Sequence, residues 1–213
     1  MKQRGPNLPV LWFTKLTGVP AALLFFKPKV YYVNKAVQSL RLPKPCILMS
    51  NHKSLMDFVL YLCLFFGRTL RFLMAEVLFR KGKLFSWMLF ALGGVYVDRD
   101  AFDFGFISES IKILDKGGTV GIFPEGRLPI NGKPWPFKPS IVLIALHAGV
   151  PIVPLYTDGN YGLFKRARVV VGTPIDLRDY CDTVDPDEQQ LKQLTALLEQ
   201  KTQELKEFLE QHA

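Results

Sequence analysis

The chain has 213 residues, 49% of them apolar, a formal net charge of +8 and a slightly positive mean hydropathy of +0.15. That is enough for one α/β domain, and it leaves more apolar surface than a single core requires, so membrane contact enters the reading at once. Three widely spaced cysteines, Cys46, Cys63 and Cys181, exclude a disulfide framework and a thiolate metal site and read as reduced thiols in a cytosolic compartment.

Charge is distributed unevenly. From Asp185 onward three basic residues face seven acidic ones, a net of −4, which leaves +12 on residues 1–184. No acidic residue precedes Asp57, whereas Lys2, Arg4, Lys15, Lys27, Lys29, Lys35, Arg41, Lys44 and Lys53 are all basic. A basic, apolar start suits an anionic leaflet, where each cation near the surface contributes roughly 1 kcal/mol. Nucleic acid is the other polyanion to weigh. Zinc spacing, an aromatic RNA-binding signature and a basic helical stripe are all missing from the sequence, so no nucleic-acid partner is expected.

In chain order, residues 8–26 (LPVLWFTKLTGVPAALLFF) come first. Lys15 near the middle and the Gly18-Val19-Pro20 break argue against a clean transmembrane helix, and no small-residue cleavage site follows. The stretch is expected to form two short helices, a hairpin bent at Gly18–Pro20 and lying in one leaflet. Strands are predicted at Val30–Val33, Ile47–Ser50, Leu70–Met74, Val95–Asp98, Thr119–Phe123, Ile152–Tyr156 and Ala167–Val171. Helices are predicted at Lys53–Phe66, Glu76–Leu92, Asp103–Lys116 and Phe137–Ala148. This alternation predicts an α/β fold, a largely parallel central sheet flanked by helices. The tail has Asp185 as N-cap, Pro186 as first helical residue and Glu188 as capping-box partner, then leucines at helical spacing. The expected organisation is a membrane-associated segment over 1–28, an α/β domain over 29–184 and a packing amphipathic helix over 185–213.

Four short blocks carry the polar chemistry. In NHKSLMD, His52 and Asp57 lie five residues apart, which on a regular helix separates them by about 140°. They can meet only if His52 stands before the first helical turn, where an aspartate one turn on would fix its tautomer for work as a base. GIFPEGR runs an apolar strand into Glu125, Gly126 and Arg127, at a carboxyl end where open parallel sheets bind ligands. Arg127 offers a planar fork suited to phosphate. GGVYVDRD delivers Arg99 to a loop, and GVPIVPLY is a strand bracketed by prolines that predict an edge or a bulge.

In this order, NHKSLMD, GVYVDR, FPEGR and VPIVP resemble the four motifs of the glycerolipid acyltransferase family, which includes the 1-acylglycerol-3-phosphate acyltransferases. The resemblance runs from about residue 45 to 156 and implies a membrane-associated start before a parallel-rich α/β domain. It also implies that His52 is the catalytic base, Asp57 its orienting carboxylate, and Arg99, Glu125, Gly126 and Arg127 the residues that hold a glycerol phosphate. There are two departures. Arg127 follows Gly126 directly, where the family usually has one residue between them, and Phe137-Lys138-Pro139-Ser140 stands for the usual F-K-x-G.

The expected reaction is direct acyl transfer from an acyl thioester, acyl-CoA or acyl-carrier protein, to the sn-2 hydroxyl of lysophosphatidic acid. The thioester is already activated, so neither a cofactor nor a metal is expected. Backbone N–H groups at the start of the helix after His52 are candidate oxyanion donors. Rival readings are an acyltransferase acting on glycerol 3-phosphate or another lysophospholipid, a thioesterase or lipase, and a non-catalytic membrane-binding protein. No G-x-S-x-G elbow is present to support a hydrolase. The expected location is the cell membrane, peripheral or monotopic, with the site on the cytoplasmic side and anionic lipids as partners.

Overall fold

The computed structural model describes residues 3–34, 40–98 and 104–212. In order these form α1 (Leu8–Phe26), β1 (Lys29–Tyr32), β2 (Cys46–Ser50), α2 (Met56–Leu64), β3 (Leu70–Ala75), α3 (Glu76–Phe79), α4 (Lys83–Ala91) and β4 (Val95–Val97). Then come α5 (Gly105–Asp115), β5 (Thr119–Ile122), α6 (Ser140–Ala148), β6 (Ile152–Thr157), β7 (Arg168–Val171), a 3₁₀ turn at Leu177–Asp179 and α7 (Glu188–His212). All seven predicted strands are present, with ends shifted by at most one residue.

The strands make one sheet in the order β1-β7-β6-β2-β5-β3-β4, parallel except where β6 meets β7. Side chains alternate across it with the period of a strand. In β2, Cys46 and Leu48 enter the core shared with α1 to α4, while Ile47 and Met49 enter the opposite core under α5, α6 and the first half of α7. A central strand buried on both faces reads as a continuous apolar run, which is why CILM has no polar gaps. Gly121 in β5 fits the same logic, because a Cβ there would come within 2.3 Å of the Phe72 ring.

Four local expectations need correction. The N-terminal segment is one helix, α1, running straight through Gly18 and Pro20. Pro20 is exposed and costs the helix a single ladder bond, while packing holds the two ends: Leu11, Lys15 and Phe26 are buried at one stripe. The helix predicted over Glu76–Leu92 is two, because Gly82 takes φ +129° and breaks it. The α7 cap is Asp187, whose Oδ1 accepts from the Gln190 N–H at 2.7 Å while Gln190 Oε1 accepts from the Asp187 N–H at 3.0 Å. Asp185 instead meets His147 Nε2 at 3.1 Å.

The fourth is the VPIVP strand, which is internal: β6 lies between β7 and β2. Pro154 is tolerated there because its carbonyl faces β7, accepting from the Gly172 N–H at 2.8 Å, one residue beyond the last residue of β7. The donor that proline lacks would point the same way, where the ladder has already ended.

Candidate active site

Strand β2 ends because Asn51 replaces it. The buried Asn51 side chain donates to the Thr157 carbonyl at 2.9 Å and accepts from the Thr157 N–H at 2.8 Å. It thus imitates one more rung of the β2–β6 ladder, and the main chain is free to turn away. Residues 51–55 are not helical and α2 begins only at Met56, which meets the condition that His52 precede the first turn.

Asp57 is fully buried. Its Oδ2 lies 2.9 Å from His52 Nδ1 and accepts from the backbone N–H groups of Lys53 at 2.7 Å and Ser54 at 2.9 Å. Its Oδ1 accepts from the Tyr161 hydroxyl. A carboxylate so surrounded is an acceptor, so Nδ1 carries the His52 proton and Nε2 is left with a free lone pair. The ring stacks on Phe123 with centroids 4.2 Å apart and planes 12° from parallel.

Glu125 comes from the turn that leaves β5, closed by the Gly126 N–H donating to the Phe123 carbonyl at 2.9 Å. Gly126 adopts φ +67°, and a Cβ there would press on Lys138 Cε at 3.1 Å. Glu125 Oε1 accepts from the His52 backbone N–H at 3.1 Å, while the buried Oε2 has no hydrogen bond among the described residues. Burial raises the Glu125 pKa above its ordinary value, opposed by the His52 N–H and ring and, more weakly, by the Trp135 N–H and Lys53.

The sequence candidates therefore separate. His52, Asp57, Glu125 and Gly126 converge at the carboxyl ends of β2 and β5. Arg127 is exposed, with its guanidinium 5.6 Å from the centroid of the Trp135 ring, and it stands at the rim. Arg99 lies outside the described residues, as do Asp100 and the expected helix start at Asp103. Most of the proposed oxyanion donors are already engaged within the turn. The N–H groups of His52, Lys53 and Ser54 go to Glu125 and Asp57, and that of Met56 goes to Ser54 Oγ at 3.2 Å.

Two cavities flank this point. One, of about 650 Å³, is lined by His52, Lys53, Glu125, Trp135 and, from α7, Gln203 and Lys206. The other, of about 370 Å³, is mostly apolar, with Leu73, Met74, Ile107, Ile122 and Leu143 in its wall. Phe123 lines the second cavity and stacks on His52, whose ring lines the first. Among the described residues no three His, Cys, Asp or Glu side chains converge as a metal-ligand set. Sequence reasoning missed Asn51, Tyr161 and the polar face of α7; only the placing of α7 against β6 brings the last of these to the cleft.

The Acyltransferase family model matches residues 32–158, more than half of the chain. The chain belongs to the acyltransferase family. It is 28% identical over 203 residues to the chloroplastic 1-acyl-sn-glycerol-3-phosphate acyltransferase BAT2 of Brassica napus, covering 80% of this chain and 58% of that protein. A 1-acyl-sn-glycerol-3-phosphate acyltransferase of Bacillus subtilis is 32% identical over 120 residues, 54% of this chain and 58% of that one. This acyltransferase-family chain spans about two fifths to three fifths of the length of these two relatives and of a similar protein from Arabidopsis thaliana. In structure it resembles PlsC, the 1-acyl-sn-glycerophosphate acyltransferase of Thermotoga maritima. The TM-score is 0.64 at 25% identity, over 92% of this chain and 79% of that one.

Proposed function

We propose that the protein transfers an acyl chain from an acyl thioester, coenzyme A or carrier protein, to the sn-2 hydroxyl of 1-acylglycerol 3-phosphate. The observation that carries this reading is the His52 ring, oriented through Nδ1 by a buried Asp57 and presenting its other nitrogen in a cleft at the carboxyl end of a parallel sheet. An alcohol has a pKa far above neutrality and needs a base as it attacks. A positioned histidine supplies about 10² to 10⁴ in rate. His52 Nε2 takes the hydroxyl proton as the oxygen adds to the thioester carbonyl carbon. The tetrahedral species then expels the thiolate, which leaves with the proton held by His52, and phosphatidic acid results.

The cavities support the substrate assignment. Lys53 and Lys206 give the larger one cationic side chains for a phosphate, and Arg127 adds a third at its rim over Trp135. The smaller, apolar cavity takes the acyl chain, with Phe123 in its wall and stacked on His52. Substituting His52→Ala is expected to lower turnover at least 10²-fold. The assay offers lysophosphatidic acid, glycerol 3-phosphate and other lysolipids in turn, with labelled acyl-CoA and acyl-carrier protein. Near-normal turnover in the variant sinks the base assignment, and preference for another acceptor replaces the substrate.

A lipid substrate requires a site near a leaflet, and α1 supplies the contact in this reading. Leu8, Trp12, Phe13, Leu16, Leu23 and Leu24 are exposed on it, and it is the one described helix long and apolar enough to cross a membrane. Leu163 and the fully exposed Phe164 stand in the loop joined to its end, beside Lys165 and Arg166. We assign α1 to one leaflet, outer face in lipid. Triple substitution of Phe13, Leu16 and Leu24 by serine should release the protein from phosphatidylglycerol vesicles in a flotation assay with little change in its melting temperature. Undiminished flotation places the anchor elsewhere.

A further inference from the structure

Asp57 has two oxygens, and only Oδ2 is accounted for by the histidine and the turn that follows it. The Oδ1 partner is Tyr161, from the loop between β6 and β7, 104 positions along the chain. Its hydroxyl also lies 3.2 Å from Thr157 Oγ1, the residue whose backbone holds Asn51 and so ends β2. Burial, then the Asp57 charge, push the Tyr161 pKa up, so the phenol stays protonated and donates. A buried carboxylate with one oxygen unpaired would turn about its Cβ–Cγ bond. With a fixed donor on each oxygen it has a single orientation, and so does the ring hydrogen-bonded to it.

The loop that presents Tyr161 is in turn fastened to the end of α1. The Tyr161 ring meets Phe26, the last residue of α1, edge to face with centroids 5.2 Å apart. Lys27 Nζ donates to the Leu163 carbonyl at 2.5 Å, and Arg166 Nε donates to the Lys27 carbonyl at 3.2 Å. The Ala167 N–H donates to the Phe26 carbonyl at 2.8 Å, and the Lys29 N–H to the Ala167 carbonyl at 2.9 Å. A continuous set of contacts therefore runs from α1 through the loop to Tyr161, Asp57 and His52.

We propose that Tyr161 is a positioning residue for the His52–Asp57 pair, and that its own place is set by the end of α1. The proposal rests on the acyl-transfer reading above, and it adds a residue and a link that the four sequence blocks do not contain. Tyr161 touches no substrate; it acts by limiting Asp57, and through Asp57 the direction of His52 Nε2.

The test uses the full chain on phosphatidylglycerol vesicles carrying 1-acylglycerol 3-phosphate, with palmitoyl-CoA as donor. Tyr161→Phe keeps the ring against Phe26 and removes only the hydroxyl. It is expected to lower kcat about ten-fold, the scale of one hydrogen bond to a charged group, with both KM values within two-fold. The acid limb of kcat/KM should also move to higher pH, because an Asp57 with one donor fewer holds a protonated His52 ring more strongly. Among the described residues the other charged or titratable groups around that ring are Glu125, Lys53, Tyr156 and Tyr61, with Glu199 and Lys206 across the cleft, and none of them is altered. Phe26→Leu should lower kcat less, and its effect should largely vanish in the Tyr161→Phe background, as coupled residues require. Unchanged kcat and acid limb in Tyr161→Phe overturn the positioning role; an undiminished Phe26→Leu effect in the double variant overturns the link to α1. Melting temperatures and circular dichroism on each variant guard against simple misfolding. His52→Ala runs alongside: an active His52→Ala protein overturns the base assignment itself, whereas an inactive one beside a fully active Tyr161→Phe protein overturns only the positioning role.

Discussion

Asp57 and Glu125 stand on either side of His52, both almost wholly buried, and the protein treats them in opposite ways. Asp57 sits at the β2–α2 junction with donors on both oxygens, from His52, Lys53, Ser54 and Tyr161. Glu125 sits on the exit turn of β5 with one aligned donor and, among the described residues, an oxygen without a hydrogen bond. Burial costs a carboxylate several kcal/mol in order of magnitude unless hydrogen bonds replace its water. Asp57 is compensated in full and can serve as a fixed support. Glu125 is compensated in part, and its raised pKa records the deficit. The first is built into the resting fold; the second keeps an acceptor oxygen that the fold itself does not fill among the described residues.

Substitution should separate the two carboxylates most clearly in Asp57→Asn. The amide offers N–H where His52, Lys53, Ser54 and Tyr161 all need an acceptor, so the ring loses its tautomer and its aim. Turnover should fall about 10³-fold, within the range for losing general-base assistance, and the melting temperature should fall as well. An Asp57→Asn protein as active as the parent would make the two carboxylates equivalent and end the contrast.

Glu125→Gln should behave differently. An amide oxygen still accepts from the His52 N–H, but no charge is left to desolvate. Turnover is expected to fall about 10- to 100-fold, the worth of a hydrogen bond to a charged group, while the melting temperature at neutral pH rises. The sign follows from proton binding. With its folded pKa above the unfolded one, Glu125 binds more protons in the folded protein, so it favours folding at low pH. That contribution is lost as pH rises from the ordinary glutamate range through the raised value. Glu125→Gln should therefore flatten this part of the stability–pH curve, measured by melting from pH 4 to 8. A steeper curve would mean that Glu125 is satisfied after all.

A smaller effect is expected from Gly126→Ala, which tests the turn beneath Glu125. The positive φ and the contact with Lys138 should cost about 1 kcal/mol, or about 2–4 °C in melting temperature. Turnover should drop only a few-fold, since the carboxylate moves without losing its partner. A loss as deep as that of Glu125→Gln would make the turn, and not the charge, the source of the Glu125 phenotype.

These outcomes bear on how much of the site was legible in sequence. The strands were legible because runs such as CILM and VYV can do little but enter a sheet with two covered faces. His52 and Asp57 were legible as a conditional: five residues apart, they meet only outside a helix, and α2 does start after His52, with Asp57 in its first turn. Tyr161 was not, because DGNYGLF has the composition of any surface loop and its partner lies in another block. Asn51 was not legible as a rung of the sheet, a role that depends on Thr157. The helix boundaries failed for a related reason: Pro20 and Asp185 are strong local signals, and tertiary contacts outweighed both.

Lys15 was the residue that counted most against a clean transmembrane helix in the sequence. In the structure it points inward, its ammonium donating to the Phe66 carbonyl at 2.8 Å and the Arg68 carbonyl at 2.5 Å, with the Trp12 and Phe66 rings beside it. A helix whose sole charge is latched to the body of the protein cannot roll about its own axis. On a leaflet that latch works as an alignment key. In the proposed leaflet placement of α1 it would set which edge of the domain is wetted by lipid, and so the height above the bilayer at which the mouth of the cleft is carried.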